Sequence, residues 1–201
     1  MDPSHHTQNP PIREEVRAYW QSLGRFVSKF AMVEANMQLA LWHYANVSPN
    51  IGRAVFSGVR ADAAMGLINR IAEVEKWGKA KKGELKKLFD HLGEINKLRN
   101  DIIHFGTRFE SDGSLHVTNA FMALNEGRLR KIAISDKILD QLTHDLTKIT
   151  YSLFLQMFDS LASPELLETF RRQAAGPWQY KLPQQSNRAR GHQRTPQAQS
   201  R

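Results

Sequence analysis

Residues 84–105 read ELKKLFDHLGEINKLRNDIIHF, and this stretch decides the fold. Its apolar residues recur in steps of three and four, which is the spacing of one face of an α-helix. Gly106 follows directly, and glycine commonly ends a helix. The stretch therefore predicts a long amphipathic helix from Glu84 to about Phe105, whose apolar seam consists of Leu85, Leu88, Leu92, Ile95 and Ile102.

Two further helical regions precede it. Residues 12–47 contain no proline and carry apolar residues at the same spacing, which predicts a long first helix. Ser48-Pro49-Asn50 breaks this pattern. The second region falls into two pieces, 51–56 and 60–77, and the lysines of 79–83 predict an exposed connection. The seam of the first helix is expected to consist of Trp20, Leu23, Val27, Phe30, Met37, Leu41 and Tyr44.

The periodicity changes after Gly106. Residues 107–111, 115–122 and 128–134 have the character of short strands, and the Asp-Gly pair at 112–113 is typical of a hairpin turn. A small antiparallel insert is therefore expected between the third and fourth long helices.

The remaining helices have clear starting residues. Ser135 can cap a fourth long helix from Asp136 to about Leu161, and Ser163-Pro164 can begin a short fifth helix to about Arg172. The predicted fold is all-α. It is an up-and-down bundle of four main helices with a β-hairpin or three-strand insert before the last long helix.

The sequence predicts three segments: a flexible N-terminus (1–11), a helical domain (12–175) and a basic disordered tail (176–201). The charge is unevenly distributed over these segments. The chain has 201 residues and a net charge of +8, which favours a polyanionic partner. Trp178 and Tyr180 are expected either to dock on the helices or on a partner, or to stack on bases. Nearly all the net charge lies from residue 169 onward, where Arg171, Arg172, Lys181, Arg188, Arg190, Arg194 and Arg201 face no acidic residue.

Several classes of function are excluded or disfavoured. The chain has no cysteine, which removes disulfides, thiolate metal sites and cysteine nucleophiles. No apolar stretch is long enough to span a membrane, and no secretory signal is visible, so a cytoplasmic protein without a membrane partner is expected. No glycine-rich phosphate loop and no zinc-type histidine pair occurs, so no metal and no cofactor is predicted. The histidines at 43, 91, 116 and 144 are expected to be surface or partly buried residues. The aspartates at 136, 140 and 145 are expected on the solvated face of the last long helix.

Two charged residues interrupt the apolar seams. Arg99 lies between Ile95 and Ile102 in the third long helix, and Glu34 lies between Phe30 and Met37 in the first. Charges are seldom buried without a partner. The two residues are therefore expected either to meet across the bundle, or share a network at a partner surface, or to extend their charged ends to water.

Around Arg99 the sequence contains a short motif of polar side chains. Arg99-Asn100 is followed by three residues and then His104, at the end of a long helix of a predicted bundle. This arrangement resembles the HEPN superfamily (higher eukaryote and prokaryote nucleotide-binding), whose signature is an arginine, often followed by a polar residue, and a histidine a few residues later. Phe105 departs from the family pattern, in which a small residue commonly follows the histidine.

The resemblance implies a metal-independent endoribonuclease that acts as a toxin or phage-defence factor. Its active site would be assembled from two copies of the motif at a homodimer interface. A nucleotidyltransferase-type antitoxin or another defence protein is an implied partner, and RNA is the implied substrate. The alternative function within the same family is a non-catalytic RNA-binding or protein-interaction module. A helical scaffold with a solubilising tail is a third interpretation.

The chemistry of the motif residues fits RNA cleavage. The 2′-hydroxyl of RNA supplies the nucleophile, so the protein has to move protons and stabilise a charged phosphate. Histidine, with an ordinary pKa of about 6.5, suits the role of general base or acid, and we assign it to His104. Arginine offers a fixed fork of donors to phosphate oxygens, and Arg99 is the expected phosphate clamp. Asn100 is the expected orienting partner, and the tail residues Lys181, Arg188, Arg190 and Arg194 are expected to contact nucleic acid. An alternative role for His104 is to cap its helix.

Overall fold

Helices account for most of the chain. The computed structural model describes residues 14–110, 112, 114–120, 122–125, 129, 131–158 and 162–181, and within these it contains six helices and a three-stranded sheet. The elements are α1 (Glu14–Tyr44), α2 (Pro49–Phe56), α3 (Ala61–Val74), α4 (Lys79–Phe105), β1 (Thr107–Phe109), β2 (Leu115–Thr118), β3 (Lys131–Ile134), α5 (Asp136–Phe158) and α6 (Pro164–Ala174).

The core is built mainly around α1 and α5, which pack against each other. α3 also packs on α1, and α6 packs on α5. The side chains at the centre are large and fully buried, and they come from four of the helices. They include Phe26, Phe30, Met37, Leu41, Ile68, Leu85, Leu92, Ile95, Leu139, Leu142 and Leu146.

The first turns of α1 bury Tyr19 rather than Trp20. Tyr19 is fully buried and its hydroxyl is hydrogen-bonded to Thr107, whereas Trp20 is 54% exposed. The expectation of a buried Trp20 is therefore wrong. Trp20 and Tyr19 lie about 100° apart on the helix, and the sheet covers the Tyr19 side, with Phe109 meeting its ring edge-on.

A close backbone contact joins α2 to α1. Ser48 caps α2 by accepting a hydrogen bond from Ile51, and Pro49 occupies the first turn. The backbone of Gly52 then lies against the indole ring of Trp42, so that a Cβ atom at residue 52 would come within 2.5 Å of the ring. Only glycine allows the two helices to approach this closely.

α4 is longer than the sequence predicts. It begins at Lys79, so residues 79–83 are the first turn of the helix and not an exposed connection. Lys81 lies with its ammonium 3.8 Å from the ring centroid of Trp77 and 5.2 Å from that of Tyr44. This cation–π contact stabilises a turn whose lysines and glycine would by themselves favour a loop.

The three strands form one antiparallel sheet in the order β1-β2-β3. Thr107 pairs with Val117, and Leu115 pairs with Ile134. Val117 and Ile134 are buried, so one face of the sheet lies against the helices. The strands are shorter than predicted, and residues 126–128 and 130, which precede β3, lie outside the described residues.

Serine caps set the beginnings of the last two helices, as predicted. Ser135 accepts from the backbone N–H of Ile138, and Ser163 accepts from that of Leu166. The prediction of a mostly helical fold with a small antiparallel insert before the last long helix is confirmed. Among the described residues, the helices are too short or too polar to cross a lipid bilayer.

Candidate functional site

The predicted motif occupies the last two turns of α4. This helix ends at Phe105 because Gly106 adopts φ 69° and ψ 178°, a conformation open essentially only to glycine. The backbone N–H of Gly106 still donates to the carbonyl of Ile102, at 3.0 Å. The turn that carries His104 is therefore closed by a hydrogen bond and followed by an abrupt change of direction into β1.

The guanidinium of Arg99 is held by two neighbours. Its carbon Cζ lies 5.2 Å from the ring centroid of Phe30 on α1, and Nη1 donates to Oδ1 of Asn100 at 2.9 Å. The side chain is half-buried. The hydrogen bond brings Arg99 and Asn100 together, and the contact with the ring of Phe30 fixes the orientation of the guanidinium.

Glu34 does not neutralise Arg99 within the chain. Glu34 is half-buried on α1, one turn beyond Phe30, yet the described residues contain no ion pair between it and Arg99. The expected contact across the helices is therefore not formed. The alternative hypothesis, in which Glu34 and Arg99 share a hydrogen-bond network at a partner surface, requires a second chain.

His104 is separated from Arg99. The imidazole is exposed in the last turn of α4, next to Ile103, which is 48% exposed. Five residues correspond to about 140° around a helix, so the two motif side chains point to different sides of α4. Within the described chain they form no contact with each other.

The basic tail is only partly described. Lys181 is exposed at the end of the described residues. Arg188, Arg190 and Arg194 lie outside them.

The most heavily hydrogen-bonded buried group was missed at the sequence level. His91 on α4 is 4% exposed and Asp145 on α5 is fully buried, and the distance from Nε2 of His91 to Oδ2 of Asp145 is 2.8 Å. The expectation that His91 is at the surface or only partly buried is wrong, and so is the placement of Asp145 on a solvated helix face. Each one sits beside a seam residue, Leu92 or Leu146, and the ability of a histidine to donate to a carboxylate could have indicated a buried pair.

The same carboxylate holds the segment that follows α6. The backbone N–H groups of Gln179 and Tyr180 donate to Asp145 at 2.8 and 2.9 Å. The indole of Trp178 stacks on the ring of His91, with centroids 4.2 Å apart. Packed structure therefore extends beyond the expected domain end at residue 175, and of the two predicted roles of Trp178 and Tyr180, docking is the one that the structure shows.

The surroundings of Asp145 keep it ionised. Burial opposes the charge, but the hydrogen bonds from His91, Gln179 and Tyr180 outweigh it, and the pKa of Asp145 lies below its ordinary value. An ionised carboxylate can only accept hydrogen bonds, so Nε2 of His91 carries the hydrogen. Asp145 and His91 thus form a hydrogen-bonded pair that is inaccessible to water and has a structural role, and we call this pair the Asp145–His91 anchor.

The other titratable residues are more exposed. Asp140 pairs with Arg25 at 3.0 Å on the surface, and His43 and His144 are exposed. Burial and the charge of Lys81 lower the pKa of His43. In the described part of the chain, no group of three or more histidine and carboxylate side chains is placed to hold a metal ion.

Comparisons with protein-family models, with curated proteins and with solved structures give no match for this chain.

Proposed function

We propose that the chain is a metal-independent endoribonuclease of the HEPN type, with a composite active site formed by two copies of α4. The observation that carries this proposal is the set of contacts made by the guanidinium of Arg99. Its guanidinium is fixed by Phe30 and Asn100, and no carboxylate of the described residues pairs with it. A fixed, uncompensated cation is what binding of a phosphate group requires.

The position of His104 favours a site shared between two chains. His104 is exposed, and the helix places it about 140° from Arg99. In one copy the two side chains therefore lie on different sides of α4. A twofold axis near the end of α4 would bring Arg99 of one copy towards His104 of the other, and the exposed Ile103 would then lie in the interface.

The chemistry follows from this arrangement. One imidazole would take the proton of the 2′-hydroxyl, and the attacking oxygen would form a bond to phosphorus. The second imidazole would protonate the departing 5′-oxygen, leaving a 2′,3′-cyclic phosphate. The two guanidiniums would stabilise the extra negative charge on the phosphorus-bound oxygens.

The proposal includes an organisation and a cellular role that follow from the family resemblance. We propose that the four main helices form an up-and-down bundle and that the chain is a cytoplasmic homodimer. RNA is the proposed substrate, and a toxin or phage-defence role, with an antitoxin or another defence protein as partner, is the proposed setting.

The test is RNA cleavage in the presence of EDTA. The purified protein should cleave mixed-sequence RNA, and His104→Ala and Arg99→Gln should each lose this activity. Lys97→Gln is the matched control, because Lys97 lies two residues from Arg99 on the same helix, is exposed and carries the same charge. It should cleave like the unmodified protein.

The possible outcomes separate the candidate functions. Cleavage that survives in both motif variants would contradict the proposal. Binding of RNA that depends on Arg99, without cleavage by the unmodified protein, would instead support the non-catalytic RNA-binding module.

A further inference from the structure

Two aromatic side chains are exposed to solvent. Among the tryptophan, phenylalanine and tyrosine side chains that the structure describes, only Trp20 and Phe109 are exposed, by 54% and 44%. The others in that part of the chain are buried or half-buried, as is usual for large rings. A single exposed hydrophobic residue is ordinary on a protein surface, but these two residues are not isolated from one another.

Both exposed rings lie against the same buried ring. The ring centroid of Tyr19 lies 5.3 Å from that of Trp20 and 6.3 Å from that of Phe109, and the interplanar angles are 69° and 83°. Tyr19 is fully buried, and its hydroxyl is hydrogen-bonded to Thr107. Trp20 and Phe109, which we call the aromatic pair, are thus both held by a side chain that is itself fixed in the core.

The aromatic pair lies beside His104. Thr107, to which Tyr19 is hydrogen-bonded, follows His104 by three residues, so the Cα atoms of Thr107 and His104 are at most about 11 Å apart. A stacked nucleic-acid strand advances about 3.4 Å per nucleotide. The aromatic pair is therefore within reach of the nucleotides next to one that is bound at His104.

The border of the aromatic pair is charged. Arg17 lies one turn before the tryptophan on α1, and Arg108 directly precedes the phenylalanine in β1. Glu14 lies 3.6 Å from Arg17, and Glu110 lies 2.9 Å from Lys131, all with exposed side chains. The core of a protein–protein interface is depleted of charged residues, so a second protein chain is not the occupant that this surface favours. Single-stranded nucleic acid fits it better, because bases stack on aromatic rings and phosphates bind arginine.

We propose that the aromatic pair is a base-stacking subsite, which binds unpaired bases next to the nucleotide held at His104. The inference rests on the proposed function for the identity of the ligand. It deepens that function by naming the substrate class, which is single-stranded RNA bound with little sequence preference, because every base has a face that can stack. The bases of a duplex are stacked on one another and do not offer their faces to the two rings.

The first test is binding to an RNA that cannot be cleaved. A labelled single strand whose 2′-hydroxyls are all methylated lacks the nucleophile, and fluorescence anisotropy measures its affinity for the protein. Trp20→Ala and Phe109→Ala should each weaken binding by at least about fivefold, the lower limit for the loss of one stacked base.

Leu39→Ala is the matched control for these variants. Leu39 is an apolar residue of α1 that is 44% exposed, and it lies about 28 Å from Trp20 along the helix axis. Its replacement removes a similar exposed side chain from the same helix, so the variant should bind the methylated strand like the unmodified protein.

Two further measurements separate stacking from other effects. The salt slope of binding should be unchanged in Trp20→Ala, because stacking on a ring releases no counterions; a slope reduced by about 0.7 or more would mean that a phosphate contact was lost instead. The methylated strand should also quench tryptophan fluorescence in the unmodified protein. In Trp20→Phe this quenching should be much smaller, although the phenylalanine ring should retain most of the affinity.

Several outcomes would overturn the inference. These are the absence of binding by the unmodified protein, unchanged affinity in either alanine variant, and equal affinity for the single strand and for a fully paired duplex of the same sequence. A lower molar mass of Trp20→Ala in sedimentation would also overturn it, because the aromatic pair would then contact a second copy of the chain.

These measurements do not depend on cleavage. If the unmodified protein binds the methylated strand through Trp20 and Phe109 but leaves ordinary RNA intact, the proposed catalytic function fails and the stacking subsite stands. If it cleaves ordinary RNA and the two alanine variants bind as well as the unmodified protein, the stacking subsite fails and the catalytic function stands.

Discussion

Nε2 of His91 lies 2.8 Å from Oδ2 of Asp145, and both side chains are buried where α4 meets α5. The same carboxylate accepts from the backbone of Gln179 and Tyr180. One side chain thus joins two helices and the segment that follows α6. Removing it would leave several buried donors without an acceptor, and the energetic cost of an unsatisfied buried donor is high.

Replacing Asp145 should therefore destabilise the protein strongly. We expect Asp145→Ala to lower the free energy of unfolding by about 3–5 kcal/mol, the usual cost of removing one partner of a buried pair. Urea unfolding followed by circular dichroism measures this change. Asp140→Ala is the matched control, because Asp140 lies on the same helix in an exposed pair with Arg25, and its effect should stay within about 1 kcal/mol. Similar effects of the two substitutions would contradict the anchor.

The stability should also depend on pH through Asp145. The pKa of Asp145 in the folded chain lies below the ordinary value of 3.8. A carboxyl group with a lowered folded-state pKa stabilises the fold above its unfolded pKa, and this contribution disappears as the pH falls through the folded value. Below about pH 4, the free energy of unfolding should therefore decrease more steeply for the unmodified protein than for Asp145→Asn. Urea unfolding at a series of pH values measures both slopes, and parallel curves would argue against the lowered pKa.

The contact between Gly52 and Trp42 gives a third prediction. A methyl group at residue 52 would lie 2.5 Å from the indole ring, so Gly52→Ala should cost about 1–3 kcal/mol through displacement of α2. Gly66→Ala is the control in α3, where no neighbouring atom lies within 4 Å of the added carbon. It should raise the free energy of unfolding by about 0.5–1 kcal/mol, since alanine is the better helix former. Thermal unfolding of the two variants should shift in opposite directions.

Much of the fold follows from local patterns in the sequence. The three-four spacing locates the long helices, Ser135 and Ser163 mark the beginnings of α5 and α6, and the change to alternation after Gly106 locates the sheet. These features are determined by residues close together in the chain. They can be recognised without knowing which element packs on which.

The features that local patterns did not predict depend on distant partners. The helical conformation at Lys81 is stabilised by the contact of its ammonium with the rings of Trp77 and Tyr44. Tyr19 is buried in place of Trp20 because the sheet covers that side of α1. Asp145 has the local pattern of a solvated helix face. Its burial depends on His91 and on a segment more than thirty residues later. For the candidate site, the sequence predicts that Arg99 and His104 lie on one helix. The contact between Arg99 and the ring of Phe30 joins two helices and can be seen only in the three-dimensional structure.

Gly106 should be essential for the end of α4. Its φ of 69° and ψ of 178° are strained for any side chain, so Gly106→Ala should cost about 1–3 kcal/mol. The strain falls on the turn that carries His104, so the proposed RNA cleavage should decrease more than the loss of folded protein explains. Gly93→Ala, in the middle of the same helix and without a neighbouring atom within 4 Å, serves as the control. The two variants should be compared at a temperature where both are fully folded, and equal activity there would show that the turn does not position His104.

The proposed composite site leads to a prediction about mixed dimers. Arg99→Ala and His104→Ala homodimers should each lose at least about 100-fold in cleavage rate, because one lacks both phosphate clamps and the other both proton-transfer groups. A dimer that contains one chain of each kind still holds one arginine and one histidine, and the twofold arrangement would place these two in the same half of the site. Differently tagged chains, coexpressed and purified through both tags, should therefore recover part of the activity. A mixed dimer as inactive as its two parents would show that one arginine and one histidine, contributed by different chains, are not sufficient for cleavage.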